Sequence, residues 1–133
     1  MFLLDTNILS DLIRHPQGVI ANRIAVVGEA EIATSIIVAS ELRYGAERRG
    51  SDRLTRQLEA VLSLVPVLPL GDDADMQYGR LRTDLEKRGQ PIGGNDMLIA
   101  AHALSLAGTL VTDNVREFER VTGLAIENWL RPS

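Results

Sequence analysis

The sequence predicts an α/β fold, a mostly parallel sheet covered by helices on both faces. Two observations carry this. Short apolar runs alternate along the chain with stretches of helical apolar spacing, and its 133 residues, 45% hydrophobic and 24% charged, suffice for one cored domain over residues 1–133.

Phe2-Leu3-Leu4 is an apolar run stopped by Asp5, as in a buried strand. Asn7 is placed to cap a helix through Arg14, with Ile8, Leu9, Leu12 and Ile13 at helical spacing. His15-Pro16 ends it, because a residue before proline is pushed out of the α region. A second helix spans Gly18 to Glu29. Glu31 to Thr34 is a strand, and Ser35 caps a helix toward Arg49, broken by Gly50-Ser51. Leu54, Leu58, Val61 and Leu62 support another helix, and Val65 to Leu70 is a strand whose prolines place it at a sheet edge. A helix starts at Asp72 or Asp73 and ends at Arg88-Gly89. After the Pro91–Gly94 loop, Asn95 caps an apolar helix, Met97 to Leu106. Thr109 to Thr112 is a strand, Val115 to Arg120 a short helix, and Leu124 to Ile126 a last strand.

The chain lacks cysteine, which removes disulfides, thiolate nucleophiles and Cys-based metal sites and fits a reducing, cytoplasmic setting. Met1 to Leu4 meets Asp5 at once, unlike a signal peptide. No uncharged stretch reaches the ~18 residues of a membrane helix. A net charge of −4 argues against coating nucleic acid by bulk charge, so the placement of the acids matters. One or two divalent ions would bring the balance to about −2 or 0.

In open α/β sheets ligands gather beyond the carboxyl ends of the strands. Asp5 and Asp113 each follow a predicted strand, and Asp96 opens a helix after Gly93-Gly94. Glu41 lies in the second turn of its helix, at the margin of the apolar stripe of Ile37 and Val38. Each has a plainer reading: Asp5 as a helix cap, Asp96 as a dipole partner, Asp113-Asn114 as turn chemistry. Glu41 resists such a reading, because a half-buried carboxylate is costly unless compensated. Convergence of all four would require a hard cation such as Mg²⁺ or Mn²⁺, and that suits phosphodiester hydrolysis.

Met1-Phe-Leu-Leu-Asp5-Thr6-Asn7, Ser40-Glu41-Leu42-Arg43-Tyr44-Gly45, Ile92-Gly93-Gly94-Asn95-Asp96 through Ala103, and Val111-Thr112-Asp113-Asn114 with Arg116-Glu117-Phe118 resemble the PIN-domain ribonucleases. The ending, through Val121, Gly123-Leu124 and Glu127-Asn128-Trp129, is similar to that of VapC-type toxins of toxin–antitoxin pairs. The resemblance covers essentially the whole chain. It implies a parallel sheet in the order 3-2-1-4-5 and an Mg²⁺-dependent endoribonuclease, with Mn²⁺ able to substitute, that cuts tRNA or ribosomal RNA. It also implies catalytic Asp5, Glu41, Asp96 and Asp113: Asp5 and Asp96 as direct ligands, Glu41 acting through water, and Asp113 at a second or outer metal position. Thr6 and Thr112 would offer supporting hydroxyls, and Asn7 and Asn114 amides near the phosphate. Some relatives carry Asn in place of Asp113, and Gly94 stands where many have proline. A VapB-like antitoxin that blocks the site with an arginine, a homodimer, and a larger complex with the antitoxin are further implications.

RNA approaching an acidic site needs positive charge at the rim. Arg43, Arg48, Arg49 and Arg53 form one basic cluster, Arg80, Arg82, Lys87 and Arg88 another, and Arg116 and Arg120 a third. Arg116, just past Asp113, and Arg43 are the RNA-binding candidates. His102 and Trp129 read as packing residues. An alternative is a catalytically weak PIN protein acting mainly as an antitoxin- or RNA-binding module. An aspartyl-nucleophile phosphatase ranks lower, because Asn7 stands where its second acid belongs.

Overall fold

The computed structural model describes residues 1–131. Five strands, β1 (Phe2–Leu4), β2 (Ile32–Ser35), β3 (Val67–Leu68), β4 (Thr109–Val111) and β5 (Ala125–Glu127), form one sheet in the order β3-β2-β1-β4-β5. Every pairing is parallel. Leu3 and Leu4 of β1 are fully buried because that strand lies at the centre, with Leu4 opposite Thr34 on one side and Val111 on the other. The chain runs outward from β1 first through β2 and β3, then returns to lay β4 and β5 on the opposite side. Such a reversal leaves a crevice beyond the carboxyl ends of β1 and β4.

The flanking helices are α1 (Thr6–Arg14), α2 (Val19–Val27), α3 (Ile36–Arg49), α4 (Asp52–Leu64), α5 (Ala74–Lys87), α6 (Gly94–Ser105) and α7 (Val115–Phe118). α1 packs on α2, α3 and α4, whereas α5 packs on α6. The expected edge strand is short: Pro66 and Pro69 confine β3 to two residues, and the Pro66 carbonyl accepts from Thr34 N at 2.8 Å. The second helix is also shorter than expected. Gly28, at φ 97°, ends α2, and a single 3₁₀ turn over Glu29–Glu31 leads into β2.

At two helix starts the asparagine expected as the cap is not the one used, and at the first the plainer reading of Asp5 as a helix cap holds. Asp5, not Asn7, caps α1, its carboxylate accepting from Thr6 N at 2.8 Å. Asn7 instead reaches across to the β4 end, where its amide oxygen accepts from Asp113 N at 2.9 Å. α6 starts at Gly94, with Gly93 rather than Asn95 at the cap position and no side-chain bond to the first turn. Ser35 caps α3 as expected, accepting from Ile37 N at 3.1 Å.

The core joins both sides of the sheet, with Ile8 and Leu9 of α1, Val38 of α3, Ile99 of α6 and Phe118 of α7 fully buried. His102 is buried too. Its Nδ1 lies 2.8 Å from Ser35 Oγ, tying α6 to the head of α3, and burial lowers its pKa, so it packs as a neutral ring. Trp129 packs against Phe2 with ring centroids 5.2 Å apart, anchoring the chain after β5.

Phe118 holds α7, a helix too short to stand on propensity alone. Phe118→Ala is expected to lower unfolding free energy by about 3–5 kcal/mol in urea titrations. A loss below ~1 kcal/mol would contradict its role as the anchor.

Candidate active site

The backbone brings four carboxylates to the crevice beyond β1 and β4. Asp5 follows β1 directly, and its own N–H donates to Val111 O at 2.9 Å, extending the strand pairing by one residue. This places the carboxylate inside the fold, at 3% exposure. Oδ1 accepts from Thr6 N, and Oδ2 accepts from the buried Thr112 hydroxyl at 2.7 Å. Each oxygen keeps a free lone-pair direction. Burial raises the Asp5 pKa; the bonds from Thr112 and Thr6 oppose that, and the charges of Glu41 and Glu117 add to it.

Glu41 arrives from the second turn of α3. The Thr6 hydroxyl donates to its Oε1 at 2.6 Å, and Asn95 Nδ2 stands 3.5 Å from its Oε2. Thr6 therefore links Asp5, through its backbone, to Glu41, through its side chain.

Asp96 sits in the first turn of α6 and shares a hydrogen bond with Glu117 of α7. Its pKa is pushed up to about 7, first by burial, then by the bond to Glu117 and the charges of Glu117, Asp5 and Glu41. Glu117 moves the other way. Burial works against its charge, but Gly93 N at 2.8 Å, the Asp96 carboxyl, the Asn114 amide and the Arg120 charge outweigh it. The opposite directions belong to one interacting pair, which favours the proton on Asp96 and the charge on Glu117. Gly93 fits this contact closely, since a Cβ there would stand 3.6 Å from Asp96 Oδ2 and 3.8 Å from Glu117 Oε1. Gly94 has open space instead.

Asp113 departs from expectation. Its carboxylate is turned to the end of β5, where Asn128 Nδ2 (2.9 Å) and Arg131 Nε (3.1 Å) donate to it, and these bonds lower its pKa. The Asn7 side chain fixes the Asp113 backbone and with it the direction of the turn. Glu117, and not Asp113, is the acid of this segment that neighbours Asp96. It lies in the same Arg116-Glu117-Phe118 block, and the signal that singles it out is spacing: Glu117 and Phe118 are adjacent on a short helix, so burying Phe118 leaves Glu117 at the helix's inner margin.

The supporting residues divide in the same way. Thr6 and Thr112 hold Glu41 and Asp5. Asn114 donates its backbone N–H to Thr112 Oγ1 at 3.0 Å and its amide to Glu117. Asn7 is a tie between α1 and the β4 end. Arg43 is engaged by Glu59 in a close ion pair, whereas Arg116 is exposed and forms no ion pair among the described residues.

None of Asp5, Glu41, Asp96 and Glu117 forms an ion pair with Lys or Arg among the described residues. Carboxylate oxygens gathered without a direct ion pair, with only the more distant Arg120 charge near Glu117, fit a hard divalent cation. As the side chains stand, no three of His, Asp and Glu converge closely enough among the described residues to enclose a metal ion. That still suits Mg²⁺, which takes one or two carboxylates and keeps several waters.

A model of the PIN domain matches residues 2–124. Ribonuclease VapC2 of Rickettsia felis is 38% identical over 97% of this chain and 98% of its own. The tRNA(fMet)-specific endonuclease VapC of Shigella flexneri is 36% identical over 96% of this chain and 97% of its own. Among solved structures, the VapBC2 complex of Rickettsia felis bound to a promoter DNA fragment contains a chain that superposes with a TM-score of 0.88 at 36% identity, covering 96% of this chain and 98% of that one.

The raised Asp96 pKa gives a stability prediction. Between its unfolded value near 3.8 and about 7 the folded chain binds the extra proton, so this stabilisation is present at low pH and lost as pH rises through 7. With divalent ions chelated, Asp96→Asn is expected to be more stable than wild type at pH 8 by about 1–2 kcal/mol, the shift being discounted for a half-exposed group. The difference shrinks toward pH 5. Equal denaturation midpoints at pH 8 would refute the assignment.

Proposed function

The chain belongs to the PIN-domain family, among its VapC ribonucleases, and from that premise we propose that it is a divalent-metal-dependent endoribonuclease toxin restrained by a VapB-like antitoxin. The observation that carries the metal dependence is the set of four carboxylates, from β1, α3, α6 and α7, with no cationic side chain paired to them. Asp5 and Asp96 hold the ion, Mg²⁺ or Mn²⁺ in its place. When bound, the ion supplies Lewis-acid activation of water and neutralises charge at the phosphate.

The chain's own residues do the rest. Thr112 and the α1 N-terminus fix Asp5 in one orientation. Glu41, steadied by Thr6, is the base that orients the attacking water and takes its proton. Glu117, bonded to Gly93 N and the Asn114 amide beside Asp96, would steady Asp96 and add negative charge near a bound ion. Asp113, bound to Asn128 and Arg131, shapes the β4 turn. Asn114 acts through Glu117, and Arg116 at the rim meets the RNA backbone.

An antitoxin has a seat beside this site. A groove of about 280 Å³ between α1, α3 and α4 is lined by Ile13, Leu42, Ala46, Leu54 and Leu58 and opens at Thr6 and Glu41. An arginine reaching from such a segment into the carboxylates meets the bidentate geometry it prefers. Val26, Leu64 and Met76 are more than half exposed, apolar surface of the kind a second copy of the chain covers. No described helix is long and apolar enough to cross a membrane. The substrate class is tRNA or ribosomal RNA, and the setting is the cytoplasm.

The test is cleavage of total tRNA and ribosomal RNA with Mn²⁺, with the cut ends mapped. Asp5→Asn, Glu41→Gln, Asp96→Asn and Glu117→Gln are each expected to slow cutting by at least about 100-fold, the usual contribution of such a group. Asp113→Asn stays within about threefold, because an amide oxygen can still accept from Asn128 and Arg131, although without the ion pair, and the side chain faces away from the other carboxylates. Undiminished cutting in chelator would remove the metal, and full activity of Asp96→Asn would remove its assigned role. A purified chain that binds antitoxin but cuts neither RNA belongs to the weak-catalyst alternative. A second readout is thermal: an ion at about a hundredfold over Kd adds ~2.7 kcal/mol, and at one fixed ion concentration the gain is larger at pH 8 than at pH 6, since the ion competes with the Asp96 proton.

A further inference from the structure

α3 carries Glu41 on a stripe that continues beyond the carboxylates. Ile37, Ser40, Glu41 and Tyr44 fall at i, i+3, i+4 and i+7, and therefore on one side of the helix. With Asn95 facing them from α6, these four line a cavity of about 470 Å³, within the range of small-ligand sites. Glu41 is both a wall of this cavity and a member of the carboxylate cluster, so the cavity adjoins the site.

Tyr44 has no structural task of its own. The chain has one Trp, two Tyr and two Phe. Phe2 and Trp129 pack together, Phe118 is fully buried, and Tyr78 carries the Arg82 guanidinium over its ring. Tyr44 is 65% exposed, and among the described residues it meets no ring or cation. Apart from the Glu41 carboxylate at its edge, which repels a phosphate, the polar lining is neutral. Ser40 donates its hydroxyl proton to Ile36 O at 2.7 Å and keeps its oxygen lone pairs, and Asn95 offers an amide with both a donor and an acceptor. An unpaired aromatic face with neutral hydrogen-bonding edges suits a nucleobase better than a phosphate. Bases splayed from single-stranded RNA stack on such rings and are read along their edges.

We propose that the Ile37–Ser40–Tyr44–Asn95 cavity is a base subsite that stacks the nucleotide beside the scissile phosphate on Tyr44. The proposal rests on the ribonuclease reading and deepens it, by giving a chain with few aromatic residues a single-ring contact for sequence preference. The antitoxin groove lies on the α1 and α4 side of α3, lined by Leu42, Gly45, Ala46 and Arg49, so the two surfaces share Glu41 and little else.

The test is a cycle between protein and substrate, on the RNA hairpin that carries the mapped cut and on hairpins with an abasic residue at either flanking nucleotide. Wild type is expected to cut one abasic hairpin about tenfold more slowly in kcat/KM, chiefly through KM, near the low end of what one stacked base contributes. Tyr44→Ala is expected to cut the intact hairpin and that abasic hairpin at the same reduced rate, and Tyr44→Phe to behave as wild type. Discrimination by Tyr44→Ala equal to that of wild type would overturn the subsite while leaving the ribonuclease in place. Unchanged discrimination together with a lower oligomeric mass or weaker antitoxin binding would also overturn it, assigning Tyr44 to a protein partner. A wild-type chain that cuts no hairpin at all would instead bring down the ribonuclease reading and the subsite with it.

Discussion

Like charges in a poorly hydrated crevice repel, and most of this architecture answers that constraint. The parallel sheet points the carboxyl ends of β1 and β4 at one crevice, and the starts of α1, α6 and α7 and the second turn of α3 are delivered there. Placing Asp5 at 3% exposure is tolerable only because Thr6 N–H and the Thr112 hydroxyl both donate to it. Asp96 meets the same constraint differently, its raised pKa favouring the protonated form beside a charged Glu117. A divalent ion, if bound, would relieve the repulsion while leaving all four groups charged.

The supporting residues follow from this. Asn7 sacrifices a capping role to hold the Asp113 backbone, and that bond turns the Asp113 carboxylate toward Asn128 and Arg131. The same turn brings Asn114 to Glu117 and the Thr112 hydroxyl to Asp5, so one short segment after β4 serves two acids. Phe118 anchors α7 in the core and positions its neighbour Glu117 at the site. Stability and chemistry are coupled at this corner through a four-residue helix.

The basic residues named as one class in sequence have separate tasks. Arg43 is engaged by Glu59 on the outside of α3 and α4. Arg88 pairs with Asp84 and also donates to Arg120 O, while Arg120 donates to Pro91 O and steadies the loop before Asp96. Arg116 alone of the third cluster is without such a partner among the described residues, which leaves it available to a phosphate.

The sequence by itself determined the alternation of strands and helices, the burial of β1, the edge position of β3 and the gathering of Asp5, Glu41 and Asp96. These follow from local apolar spacing, from proline's missing N–H, and from the motif blocks of the family. Tertiary structure decided which side chain caps which helix, that Asp113 faces away, and that Glu117 neighbours Asp96. Those outcomes depend on contacts between residues up to 106 positions apart, such as the Asn7 bond to Asp113, and a one-residue rotation of a turn exchanges one acid for another without altering any local pattern.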